Sequence, residues 1–178
     1  MEKYKEKIIG FFKEPMIYII LFCVIIQVLT YKTIPDYIIT NDSSTYTIEY
    51  NSSLLKGEVN YLRTPVYPYL TKIICKIGGQ EMLFNNITLF QKILFVFTLI
   101  LFYDTVKKIT KNRIITSVLT LILGICPFII FWNIMILTEA LAIFETVLLS
   151  WVTIKYFEKP NKVLSGIMRN FNISNDND

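Results

Sequence analysis

Long apolar runs separated by short lysine-rich stretches dominate this chain, and the runs have the lengths of membrane spans. A hydrocarbon core about 30 Å thick takes roughly 20 residues of helix. Residues 16–34 form the first run, uncharged from Met16 to Tyr31, and 87–106 the second, interrupted only by Lys92 and Asp104. From Ile114 to Ile154 the only charges are Glu139 and Glu145. As one helix that stretch would reach about 60 Å, twice the membrane, so it must fold back on itself. Pro127 weakens the helix, and Trp132–Asn133 places an interfacial aromatic before a polar residue. Together they set a hairpin turn near 130–134. The pattern predicts an all-α membrane protein with about four transmembrane helices, at about 16–34, 87–106, 114–131 and 135–156.

Between the first two spans lies a segment, 35–86, too long for a simple connection and too rich in tyrosine for a disordered one. Two helix patterns stand in it. Asp42 or Ser43 is a ready N-cap, followed by Tyr46, Tyr50 and Leu54 on one face and a stop at Gly57. Pro65 then opens a second helix, with Val66, Leu70, Ile73, Ile74 and Ile77 along a stripe, Lys72 and Lys76 off it, and Gly78–Gly79 ending it. A short basic amphipathic helix of this kind lies in the membrane interface. The segment is expected to form an ordered external cap.

Charge placement gives the orientation. Lys3, Lys5, Lys7, Lys13, Lys107, Lys108, Lys111, Arg113, Lys155, Lys159, Lys162 and Arg169 share one side, while the large loop holds few. The positive-inside rule puts both termini in the cytoplasm and the loop outside. Apolar residues make up 53% and charged residues 18%, more apolar and less charged than soluble domains. There is no histidine, so His-based triads and His metal sites are excluded. Cys23, Cys75 and Cys126 are too scattered for a zinc site or a disulfide framework. Of the 18 basic residues fifteen are lysine, and their position by the membrane argues against nucleic acid as a partner. The Ile-, Lys- and Asn-rich composition is bacterial in character and points to the plasma membrane.

One membrane span, then NDSSTYTIEYNSSLLKGEVNYLRTPVYPYL, then further spans carrying CPFIIFWNIMILTEALAIF: this order of elements resembles the N-terminal part of the GT-C superfamily of polyprenyl-phosphate-sugar-dependent glycosyltransferases. It is most like the branch of protein O-mannosyltransferases and lipid A aminoarabinose transferases. Asp42, Ser43, Tyr46, Gly57, Arg63, Pro65, Tyr67 and Pro68 stand at the family's first-loop positions, with Val66 where Gly is frequent. Pro127 and Thr138–Glu139 match a later proline and a Thr/Ser–Glu pair at the outer end of a span. The likeness covers nearly all of residues 10–165. Residues 1–165 thus read as a partial GT-C transmembrane domain and 166–178 as a polar tail. Family members have more spans and an external C-terminal domain. The resemblance therefore implies a truncated or split N-terminal portion, inactive alone, with a second chain completing the transmembrane domain.

The implied reaction moves a sugar from a polyprenyl-phosphate donor, held among membrane lipid, to an external acceptor, and it assigns the general-base role to Asp42. The residue pattern alone equally allows Asp42 to be a helix cap. Glu139, an ionisable residue within a span, is a functional candidate by default. It would contact substrate, or else pair with Lys92 at similar depth. Glu145, about 120° further around the helix, reads as a contact to a neighbouring span. Arg63 would bind the donor phosphate or form a loop ion pair with Glu58 or Asp36. Tyr46 and Tyr67 offer faces for a sugar ring or pack the cap. A divalent metal ion is left open as a cofactor. The rival reading from another class is a small non-catalytic four-span protein acting as an assembly or helper subunit.

Overall fold

A computed structural model of the protein describes residues 14–46, 66–79 and 82–158. Arg63, Pro65 and the expected helix beyond Tyr46 lie outside the described residues, as does the polar tail.

All the regular elements among the described residues are helices. Helix α1 (Pro15–Tyr31) begins with proline in its first turn, where the missing N–H costs nothing. After it come a short helix α2 (Ser43–Tyr46) and the amphipathic α3 (Val66–Gly78). The long α4 (Leu83–Thr110), α5 (Arg113–Ile125), α6 (Pro127–Trp132) and α7 (Glu139–Glu158) complete the order. By length and composition α4 and α7 suffice to cross a bilayer, while α1 and α5 are shorter apolar helices. This is an all-α membrane protein.

Helix α4 is the axis of the bundle, packing on α1, α3, α5 and α7, with α1 also against α5. It extends beyond the expected run at both ends, because Lys107 and Lys108 favour the negative end of the helix dipole rather than stopping the helix. Lys111 ends it in the left-handed region (φ 52°), and Asn112 at once caps α5 by accepting from the N–H groups of Ile114 and Ile115. The basic connection is therefore a tight turn. Where α5 passes α1, Gly124 lets the backbone close on Cys23: a Cβ there would lie 2.3 Å from the Cys23 sulfur.

The region expected to be one helix over 114–131 is broken. Cys126 is extended (φ −62°, ψ 118°) because the proline that follows disfavours helix at the residue before it. Pro127 then starts α6 afresh. The reversal itself falls at 133–138, a few residues later than the expected 130–134. That stretch is non-helical yet buried, with Ile134 and Ile136 fully inaccessible.

Buried non-helical backbone needs partners, and they come from far along the chain. Ile38 N–H donates to Ile134 O at 2.8 Å, and Ile136 N–H donates to Ile38 O at 3.3 Å, a parallel bridge of Ile38 with Met135. From α4, the Gln91 amide donates towards the carbonyls of Met135 (3.0 Å), Leu137 (3.3 Å) and Trp132 (3.5 Å). One glutamine and one loop residue thus hold the unwound turn against the bundle.

Helix α3 starts and stops as its sequence predicts, with Gly79 at φ +80° and its N–H on Cys75 O. The expected stripe divides: Leu70 and Ile74 pack against the apolar cluster at the loop end, and Val66, Ile73 and Ile77 point outward. Tyr67, Pro68 and Thr71 face inward, while Val66, Tyr69, Ile73 and Ile77 are exposed. A short basic helix with an outward apolar face is the kind that can rest on a bilayer surface.

Candidate active site

The loop end of the bundle is built around an apolar cluster of Tyr46, Tyr67, Leu83, Ile87 and Ile136. These come from α2, α3, α4 and the unwound turn, so the cluster welds the outer segment to the bundle. Tyr46 and Tyr67 meet edge to face, ring centroids 5.3 Å apart. Thr71 ties the same helices, its hydroxyl donating to Tyr46 O at 3.0 Å.

Glu139 opens α7 directly after the unwound turn, where the helix N-terminus favours a carboxylate. Its Oε2 is buried and has no hydrogen-bond partner among the described residues. The Tyr67 hydroxyl, likewise buried, has none either. Burial pushes the Tyr67 phenol well above the usual tyrosine range, and the nearby charges of Glu139 and Tyr46 add to the effect. Tyr67 is therefore a neutral hydroxyl facing an acid it does not bond. Two polar groups left open at one buried place are what a site awaiting a ligand presents.

Glu139 does not pair with Lys92. The Lys92 ammonium sits 4.2 Å above the Tyr31 ring instead, on a side of α4 where Asp36 rather than Glu139 acts on it. Direction around the helix decides this: the Gln91 side chain, not that of Lys92, turns toward the segment leading into Glu139. Glu145 is exposed on α7, with no polar partner among the described residues, so the expected contact to a neighbouring span is not made within them.

Asp42 lies in the turn leading into α2, and it is exposed. The turn is fixed by Ser43, whose hydroxyl oxygen accepts from Thr40 N–H at 2.8 Å while its own N–H donates to Thr40 O. Four residues on, Tyr46 reaches Tyr67, and Tyr67 feels Glu139. The chain thus brings Asp42, Tyr46, Tyr67 and Glu139 to one end of the bundle. Among the described residues no three Cys, Asp or Glu side chains gather as a metal site, and two acids on separate elements are a poor donor set.

Pattern reading missed Gln91, Asn133 and Gln27. Each is buried with an unpartnered side-chain atom: Gln91 Oε1, Asn133 Nδ2 and Gln27 Nε2. Their signal was present, because a carboxamide inside an apolar run is as anomalous as a charge, though weaker.

No curated protein and no solved structure gives a significant match to the chain. A family profile does: that described as dolichyl-phosphate-mannose-protein mannosyltransferase matches residues 62–171. Arg63, Tyr67 and Glu139 fall within the matched segment, whereas Asp42 and Tyr46 precede it. The match covers well over half of the sequence, and the chain belongs to the dolichyl-phosphate-mannose-protein mannosyltransferase family.

Proposed function

We propose that this protein is a membrane glycosyltransferase that moves a sugar from a polyprenyl-phosphate donor to an acceptor hydroxyl at the loop side of the bundle. The acceptor oxygen attacks the anomeric carbon as the bond from that carbon to the phosphate oxygen breaks. Asp42 takes the acceptor proton, the lipid phosphate leaves, and the anomeric configuration inverts. Glu139 acts as a second acidic group, orienting hydroxyls of the sugar or acceptor with the neutral Tyr67 beside it. Arg63 contacts the phosphate, and Tyr46 lends shape to the pocket wall. Four spans with both termini on the cytoplasmic side complete the reading.

The observation that carries it is the pair of buried, unpartnered groups, Glu139 Oε2 and the Tyr67 hydroxyl, at the end where the Asp42 turn meets the bundle. A buried carboxylate oxygen without a partner opposes folding and is retained where a substrate uses it. Replacing Asp42→Asn keeps the shape and removes the base. Sugar transfer from a polyprenyl-phosphate donor, followed in membranes that carry the chain together with any second chain completing its transmembrane domain, should fall by about 10²–10⁴-fold with expression and thermal stability intact. Transfer at the parental rate would defeat the assignment and favour a helper subunit without catalysis.

A further inference from the structure

The outward faces of the apolar helices are not alike. On α1, α4 and α5 every exposed position is aliphatic or aromatic except Arg113 at the start of α5. Hydrocarbon tails suit such faces. Helix α7 instead turns outward Ala142, Glu145, Thr146, Leu149, Ser150 and Phe157, which follow one side of the helix turn by turn. Glu145 stands ~9 Å from the start of α7 at 1.5 Å per residue, inside a helix long and apolar enough to cross a bilayer. It is exposed, and none of the described residues gives it a hydrogen bond or an ion pair. The hydroxyls beside it are already served: Thr146 donates to Ala142 O and Ser150 to Thr146 O, each at 2.8 Å. The carboxylate is therefore the open polar group of that face. The helix as a whole is little covered. It rests on α4 and, more lightly, on α6, and Ala140 is its one buried residue.

We propose that this face of α7 docks a further transmembrane helix that carries a lysine or arginine at the depth of Glu145. Charge selects the occupant. A carboxylate turned to hydrocarbon is costly, and ionisable groups within spans are met by a group of opposite sign or by a polar cavity. A basic side chain at the same level brings both the charge and the donors that the carboxylate lacks; a lipid tail brings neither. Shape agrees with charge. Ala142, Thr146 and Ser150 recur every fourth residue and are small, so a second backbone can come close, which is how helices associate where lipid replaces water. A second copy of this chain fits worse. Packing α7 on α7 about a two-fold axis would set Glu145 against Glu145. The lysine within a span of this chain, Lys92, is half-buried over the Tyr31 ring on α4 and cannot serve from a copy. The proposal does not rest on the transferase reading. Glu145 lies about 120° around α7 from Glu139 and has no part in the transfer step.

Association can be measured with defined helices. The full chain, labelled with a fluorescent donor at its C-terminus, is reconstituted in phosphatidylcholine vesicles with acceptor-labelled Leu–Ala transmembrane peptides. The peptides differ at one position, ~9 Å from one end of the helix, which holds Lys, Leu or Glu. By energy transfer the Lys peptide should bind about tenfold more tightly than the Leu peptide, as expected for hydrogen bonds to a charged group. The Glu peptide should bind no better than the Leu peptide. Glu145→Gln should erase the preference for lysine while thermal unfolding is unchanged, since the carboxylate has no partner within the described fold to lose. Thr146→Leu keeps the carboxylate but thickens the face, and should weaken the Lys peptide several-fold. Equal binding of the Lys and Leu peptides, binding of neither, a lysine preference that survives Glu145→Gln, or parental affinity in Thr146→Leu would each overturn the proposal. Energy transfer between donor- and acceptor-labelled copies of the chain, lost in Glu145→Gln, would overturn the choice of partner and give the face to a second copy. Asp42→Asn should bind the Lys peptide as the parent does, so docking and transfer can fail independently.

Discussion

At the basic end of the bundle every described acid has a partner; at the loop end one buried oxygen of Glu139 has none among the described residues. Glu14 meets Lys107 at 3.0 Å and Arg113 at 3.8 Å, joining the start of α1 to the junction of α4 and α5. Asp104 accepts from the Trp151 indole at 2.7 Å and lies 3.5 Å from Lys155, while Lys108 pairs with Glu158, so α4 and α7 are laced together. Two neutral hydroxyls there, on Tyr103 and Thr105, lack partners, but no charge does. Across the bundle, Glu139 and Tyr67 stand open, and so do the carboxamides of Gln27 and Asn133. The same chain knows how to pair its charges and does so where it needs rigidity. Among the described residues the open buried carboxylate oxygen stands at the loop end, while the basic end leaves only neutral hydroxyls open, and that asymmetry separates scaffold from candidate site.

The comparison can be broken by substitution. The largest effect should come from Gln91→Leu. Removing the one side chain that serves the carbonyls of 132, 135 and 137 leaves buried acceptors unmet, at about 1–3 kcal/mol each. Detergent-solubilised protein should lose about 3 kcal/mol or more in thermal unfolding. A neutral result would mean the unwound turn is held by its Ile38 bridge alone. Next is Glu139→Gln, in which transfer should drop about a hundredfold, within the range of a lost acid–base or orienting group. Stability should hold or rise, because no partner is lost and a buried charge is removed. A stability loss instead would place Glu139 among the structural groups.

Asp104→Asn should show the opposite signature: about 1–2 kcal/mol of stability lost with the charge-assisted bond to Trp151, and transfer unchanged per folded molecule. Smallest is Glu14→Gln, since Glu14 and Lys107 are each about one-third exposed and solvent screens the pair. About 0.5 kcal/mol, near the limit of a denaturation scan, is the expected loss. A larger loss in either of these two than in Gln91→Leu would reverse the ranking of charged against backbone ties.

The candidate site was partly legible before any fold was known. Glu139 stood out because a carboxylate in an apolar run is expensive, and Asp42 because a resemblance in the loop singled it out. Tyr46 and Tyr67 were two among many loop tyrosines; nothing local marked them as the pair that would touch. A Glu139–Lys92 pair stands beside substrate contact as one of two readings the sequence allows, because depth along a helix can be counted from sequence, while direction around the bundle depends on which neighbours the helix packs against.

What the sequence by itself determined is local. Apolar runs placed the helices, Pro127 broke one of them, and Gly78–Gly79 ended α3, since each acts through its own backbone or its immediate neighbours. Which buried polar groups find partners was decided only by tertiary structure. Ile38 meets Met135 and Gln91 meets the carbonyls of 132–137 across long stretches of chain, and no period of 3.6 residues encodes such meetings. The open groups at the loop end are the remainder of that long-range pairing, and for that reason the site appears only once the helices are assembled.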